Sequence, residues 1–390
     1  MQNLNATELK KLIQTVFPYL AGDDRLAIFV DVPDKKVPDH QNWLQRRQIA
    51  KSWAQELQSV VAELNLKAVN LFFYPNVHSN NADLPEFAFA GENILPEMNA
   101  EKIINENAKI SFTKIFETHQ LYLAPTEFST TAPLKLMAKK YNFRAATMPG
   151  FMPEMIPAMR LDYDIISARV NLLKSLVDAA DGAFIFFMVD QKDFYKLYLD
   201  LRFRTGHSST GLFPERGVAG NLPSGECYIV PYEGEKAKIA SQSAGFLPVQ
   251  FEDEVVIYQI QQNRAVTIIT DGPFSQKEAE KIKAEPAYAN LAELGLGVLA
   301  DFGIQPIGQI LLDEKLGLHI AFGRSDHFGG AVGVKDFSGP EKVEHTDRIY
   351  LPSLQNRIQV DRVELIMANG KGKTIMERDE WVVWGKAPRA

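Results

Sequence analysis

The chain has 390 residues, of which 46% are hydrophobic and 23% charged, and it carries a net charge of −7. That length is too great for one typical hydrophobic core and predicts two domains. The acidic balance excludes an electrostatic partnership with nucleic acid or anionic lipid, and Cys227, the single cysteine, rules out an internal disulfide framework and a cysteine-built zinc site.

The opening MQNLNATELKKLIQTVFPYL places Leu9, Leu12, Ile13, Val16 and Phe17 at helical spacing. It has no basic stretch followed by a clean apolar run, so no secretory signal is expected. No apolar run approaches the length of a membrane span, and a cytoplasmic protein is expected. RLAIFVDV (Arg25 to Val32) reads as a buried strand. The segment that follows places Leu44, Ile49, Trp53, Leu57, Val60, Val61 and Leu64 on one helical face. AVNLFFY and LYLAP read as further strands, and TTAPLKLMAKKYN as a short helix with Pro133 near its start. Such alternation predicts an α/β domain over residues 1–160 with a mainly parallel sheet. No phosphate-cradling glycine pattern accompanies it.

MPGFMPEMIPAMRL, with its three prolines, reads as a connection. DYDIISARVNLLKSLVDAADG then predicts a joining helix, with Asp162 as N-cap and Gly182 beyond its end. After it come short strand patterns: AFIFFMVD, KLYLDLRF, ECYIVPY, FLPVQF, EVVIYQIQ, RAVTIIT, IGQILLD, IQVDRVELIMANG and EWVVWG. A helical pattern interrupts them at SQKEAEKIKAEPAYANLAEL, and the turns EGEK and ANGKG suit hairpins. Residues 161–390 are therefore expected to form a β-rich, α+β domain.

The chemistry is concentrated there. Glu226 follows the turn NLPSG at the mouth of a strand, and Glu293 is placed at the end of the predicted helix, just before two glycines. Glu314 and His319 lie five apart in a strand-like context, and His345 and Asp347 lie two apart in EHTD. Residues i and i+2 of an extended segment share a face, so the last pair is able to ligate one ion. Imidazole and carboxylate suit zinc, cobalt, manganese and non-haem iron. His327 sits in the glycine-rich loop SDHFGG, where a ligand can approach closely, and His207 caps a turn or lines a site. His40, His78 and His119 read as surface residues, and Cys227 as a core residue facing away from Glu226. No G-x-S-x-G elbow recommends a serine triad.

In order, NLPSGE, AELGLG, DEKLGLHIAFG and HTD resemble the aminopeptidase T family of metallopeptidases, the thermophilic or leucyl aminopeptidase type. The recognisable motifs cover roughly Met148 to Tyr350; the preceding residues match only in their α/β character. The resemblance implies a dinuclear site with Glu226, Glu293, His319, His345 and Asp347 as ligands, Glu293 bridging. It implies two divalent ions (zinc, cobalt or manganese), a bridging water, Glu314 as general base, a peptide or other small amino-terminal substrate, and a homodimer. It also has departures. The family has a tyrosine seven residues after the first ligand histidine, where this chain has Asp326 beside His327, and an asparagine where GLGVLADFG has none. An aspartate would repel a developing oxyanion, which leaves His327 as the expected donor. Two rival readings stand beside the aminopeptidase. One is a ring-cleaving dioxygenase of the same fold, with His319, His345 and Asp347 holding a single ferrous ion. The other is a non-catalytic, peptidase-like binding protein.

Overall fold

A computed structural model describes residues 3–384. The chain forms two compact units: residues up to Ser167 with Ser209–Ser224, and Ala168–Ser208 with the residues from Gly225 onward. Among the described residues, no helix is long and apolar enough to cross a membrane. The strands of the first stretch are β1 (Arg25–Val32), β2 (Ala68–Pro75), β3 (Phe87–Ala90), β4 (Lys109–Ser111), β5 (Leu121–Ala124) and β6 (Arg144–Thr147). Then come β7 (Ala180–Val189), β8 (Asp193–Asp200), β9 (His207–Ser209) and β10 (Val218–Asn221). The remainder are β11 (Glu226–Ile229), β12 (Ala244–Phe251), β13 (Glu254–Gln261), β14 (Arg264–Ile268), β15 (Leu291–Gly297), β16 (Leu318–Gly323), β17 (His345–Ile349), β18 (Ile358–Met367), β19 (Gly372–Glu377) and β20 (Glu380–Trp381).

The first unit is built on one seven-stranded sheet, ordered β10-β6-β5-β1-β2-β3-β4. β10, β6, β5, β1 and β2 run parallel, and β3 and β4 add an antiparallel edge. A buried strand must be apolar on both faces, and β1 meets that condition from Leu26 to Val32 save for Asp31. Asp31 is satisfied by the indole of Trp43 at 3.1 Å and by the backbone N–H groups of Glu127 at 2.7 Å and Phe128 at 3.0 Å. The helix Gln41–Ser59 buries Trp43, Ile49, Trp53 and Leu57, a stripe at helical spacing. Aromatic rings fill one side of the sheet: Phe29, Phe72, Phe112, Phe116, Tyr122 and Phe143, with Tyr122 and Phe143 4.3 Å apart. His119, expected at the surface, belongs to this core. Its ring meets Phe72 edge-on and lies 3.0 Å from the Asn70 side-chain oxygen, and burial lowers its basicity.

The second unit holds two sheets. One, with strands paired antiparallel, is ordered β14-β13-β12-β8-β7-β18-β19-β20. The other is the five-stranded sheet β17-β16-β15-β11-β9. The chain is thus mixed α/β, with a mainly parallel sheet and antiparallel sheets. The ANGKG turn does close a hairpin, β18 to β19, with Gly370 at φ +77 and its N–H donating to the Met367 carbonyl at 2.7 Å. EGEK does not, because Glu233 is drawn away to Asn290 (2.7 Å) and Ser325 (2.5 Å), and β11 pairs with β15 instead. IGQILLD forms no strand either. Its Ile310–Asp313 is a short helix, stabilised because the Asp313 carboxylate accepts the N–H groups of Ile307 and Gly308, each at 2.9 Å.

Candidate metal centre

Four adjacent strands, β11, β15, β16 and β17, display the acids and histidines on one face. Residues directly paired across an antiparallel ladder point the same way. Gly295 pairs with Tyr228 on one side and His319 on the other. Glu293 pairs with Ala321, which pairs in turn with Asp347. Glu226 pairs with Gly297, and His345 with Gly323. The opposite face turns Cys227, Ile229, Leu294, Leu296 and Ile320 into the core, as alternation at Cys227 requires. Glu293 therefore lies within a strand, not at a helix end. A register shift between Leu291 and Glu293 adds one residue there, a bulge of the kind that re-aims a side chain.

The glycines of ELGLG have a steric reason. A Cβ on Gly295 would overlap the His319 ring, and one on Gly297 would overlap the Lys315 carbonyl. Small residues floor the face, and the donors rise around them. Nε2 of His345 lies 3.2 Å from Oε2 of Glu293 and 3.4 Å from Oδ1 of Asp347. Nε2 of His319 lies 3.4 Å from Oε1 of Glu293 and 3.8 Å from Oε2 of Glu226. These make two ligand groups that share Glu293: Glu226, Glu293 and His319, and Glu293, His345 and Asp347. Donors arranged tetrahedrally at about 2.0–2.1 Å from one ion are themselves about 3.4 Å apart, so the spacing suits a divalent cation in each group. Two further features fit. Oε2 of Glu226 is buried without a hydrogen-bond partner. Nδ1 of His345 lies 2.8 Å from the Arg324 carbonyl and Nδ1 of His319 lies 3.4 Å from that of Gly317, so Nδ1–H donation leaves each Nε2 free to ligate.

Glu314 is not in a strand. It caps the short helix Ile310–Asp313 and bonds to the ammonium of Lys315, which also donates to Oε1 of Glu226 at 2.5 Å. Lys315 is a member of the site that the motif DEK displays but the reading of acids and histidines passed over. A lysine is only 1% exposed when carboxylates surround it, and here two do.

Charges in this largely buried cluster control one another. Burial would raise the Glu293 carboxyl, but hydrogen bonds and charge from His319 and His345 outweigh it and hold the group far below the usual range. Burial likewise opposes the charge on His319, yet Glu293, Asp347 and Glu226 push its pKa up to about 9. His345 is held well above the ordinary histidine value by Asp347 and Glu293, against burial. Glu314 is pushed up to about 8 by burial and by the Glu226 and Asp347 charges, with Lys315 opposing. Burial raises Glu226 too, and Lys315 and His319 oppose that rise.

The loop after β16 bears the Asp326 departure and His327 beside it. Asp326 is engaged by Arg324, whose Nε donates to its Oδ1 at 2.6 Å. His327 packs on Phe328 with ring centroids 3.9 Å apart and meets His345 edge-on at 5.4 Å. Burial, then the His345 and Arg324 charges, depress its pKa to about 4, so it is neutral near pH 7. His207 holds this loop, its Nε2 3.0 Å from the Phe328 carbonyl while its ring stacks on Tyr228 at 5.1 Å. Tyr228 touches Phe328 at 4.8 Å, and burial with the nearby Glu293 charge keeps its phenol protonated. His40 and His78 belong to the first unit, where His40 caps the helix Gln41–Ser59 and His78 pairs with Asp34 at 2.6 Å.

No protein-family model matches the chain, and no curated protein sequence does. Solved structures do. One is the 2,5-dihydroxypyridine dioxygenase of Pseudomonas putida KT2440, with a TM-score of 0.58 and 13% identity over 98% of this chain and 99% of that one. Another is wild-type AmpT from Thermus thermophilus, with a TM-score of 0.53 and 12% identity over 97% of this chain and 99% of that one. Identities this low establish a distant relationship of fold and leave the chemistry to be argued from the residues of the site.

Proposed function

We propose that the protein is a metal-dependent aminopeptidase that hydrolyses the N-terminal residue from a peptide or similar small substrate. The observation that carries this reading is the pair of three-ligand groups joined through Glu293. In it, Glu226, Glu293 and His319 would hold one divalent ion, and Glu293, His345 and Asp347 a second. Bound there, two such ions supply an acidified water and polarise the scissile carbonyl. The protein's own groups do the rest. Glu314, oriented by Lys315 and favoured in its ionised form by the charge of bound cations, would accept a proton from the attacking water and return it to the amine nitrogen as the C–N bond breaks. His327, neutral and edge-on to His345, is the donor that the sequence pattern offers in place of the family's tyrosine.

One observation favours a second reading. Lys315 already neutralises Glu226, and the charge it brings replaces part of what an ion in that group would supply. A single ferrous ion on His319, His345 and Asp347 would then suit a ring-cleaving dioxygenase. Metal content per chain separates the two. Protein purified without chelators and reloaded with zinc, manganese or ferrous iron should retain about two ions per chain and release the terminal residue from aminoacyl nitroanilides. One ion, retained only as iron, favours the dioxygenase. No retained metal sinks both and leaves a binding protein.

A further inference from the structure

We infer that the Tyr228 hydroxyl is the catalytic donor to the substrate's carbonyl oxygen, filling the role left open by Asp326. The assignment rests on the aminopeptidase reading and adds a residue to it.

Three observations carry it. First, Tyr228 is two residues beyond Glu226 on β11, so both side chains leave the same face of the strand. Second, register places Tyr228 opposite Gly295, and His319 opposite Gly295 from the other side. In that row the His319 imidazole lies over Gly295, so no other side chain stands between it and the phenol. Third, the ring is held and the hydroxyl is not. Tyr228 stacks on His207 at 5.1 Å and touches Phe328 at 4.8 Å, and Phe328 in turn meets His345 at 5.5 Å. Among the described residues, its hydroxyl makes no hydrogen bond. A half-buried phenol clamped at its ring and free at its tip is arranged to donate to something that arrives later. Asp326 has no such freedom, since Arg324 occupies its carboxylate.

Tyr228→Phe removes the hydroxyl and keeps every ring contact, so the fold is preserved. The zinc-loaded variant and the unaltered protein are compared by calorimetry for two ligands: leucine phosphonic acid, whose tetrahedral anion mimics the developing oxyanion, and leucine. Side-chain preference enters both and cancels in their ratio. The expected result is unchanged zinc content, at least about a 100-fold selective loss of phosphonate affinity, and a matching fall in kcat at constant KM. Equal weakening of both ligands, or of neither, overturns the assignment. So does a selective loss that appears in His327→Gln and not in Tyr228→Phe. A protein that keeps two ions and cleaves aminoacyl nitroanilides while Tyr228→Phe is unaffected loses only this assignment. A protein that keeps fewer than two ions loses the aminopeptidase reading, and this assignment with it.

Discussion

Gly295 and His319 face each other across β15 and β16, and the imidazole occupies the space that a Gly295 Cβ would need. Alanine at this position must displace the ring. Gly295→Ala is expected to lower zinc affinity at least tenfold and to destabilise the fold by about 1–3 kcal/mol, the usual cost of overpacking. Gly303 has open space around it and a φ of +80, so Gly303→Ala carries backbone strain of about 1 kcal/mol. Equilibrium dialysis should show a zinc defect in the first variant and none in the second.

Lys315 joins Glu226 and Glu314; Lys315 and Glu226 are buried and Glu314 is half-buried. Lys315→Met leaves those carboxylates without a counter-charge and should cost about 3–5 kcal/mol in the metal-free protein. An added cation replaces much of that charge. Thermal denaturation should therefore show a larger zinc-induced rise in Tm for the variant than for the unaltered chain. An equal rise in both would mean that Lys315 and the metal do not share these acids.

His319 titrates near 9 in the ion-free cluster because its acidic neighbours favour the charged ring. The sign follows from linkage. A histidine whose folded pKa is raised contributes stability that is complete below its unfolded value of about 6.5 and is lost as pH climbs through about 9. The metal-free protein should lose Tm over that window. Ligating nitrogen must shed its proton, so zinc affinity should rise over the same window, with proton release visible by calorimetry in buffers of different ionisation enthalpy.

Glu314, the proposed proton shuttle, is absent from both ligand groups. Glu314→Gln should keep its metal and lose about 10²–10⁴-fold in kcat. Asp326→Asn is expected to change kcat by less than a few-fold, because the carboxylate it neutralises is spoken for by Arg324.

The sequence by itself determined what local patterns carry. Alternation turned Cys227 away from Glu226, i,i+2 spacing put His345 and Asp347 on one face, and helical periodicity buried Ile49, Trp53 and Leu57. Motif order brought the acids and histidines together as a set, and the structure does converge Glu226, Glu293, His319, His345 and Asp347. Tertiary structure decided the rest. NLAELGLG has the leucine, alanine and glutamate of a helix, yet it is a strand, because ladders to β11 and β16 on both sides outweigh propensity. The strand Val218–Asn221 is built from valine, alanine, glycine and asparagine and is held by pairing with Arg144–Thr147, far away in sequence. Nothing local in DEK marks Lys315 as buried; two carboxylates from different elements close on it. Tyr228 had no partner in sequence at all. Its place beside His319 comes from the register of three strands, and register is a long-range property that no local window contains.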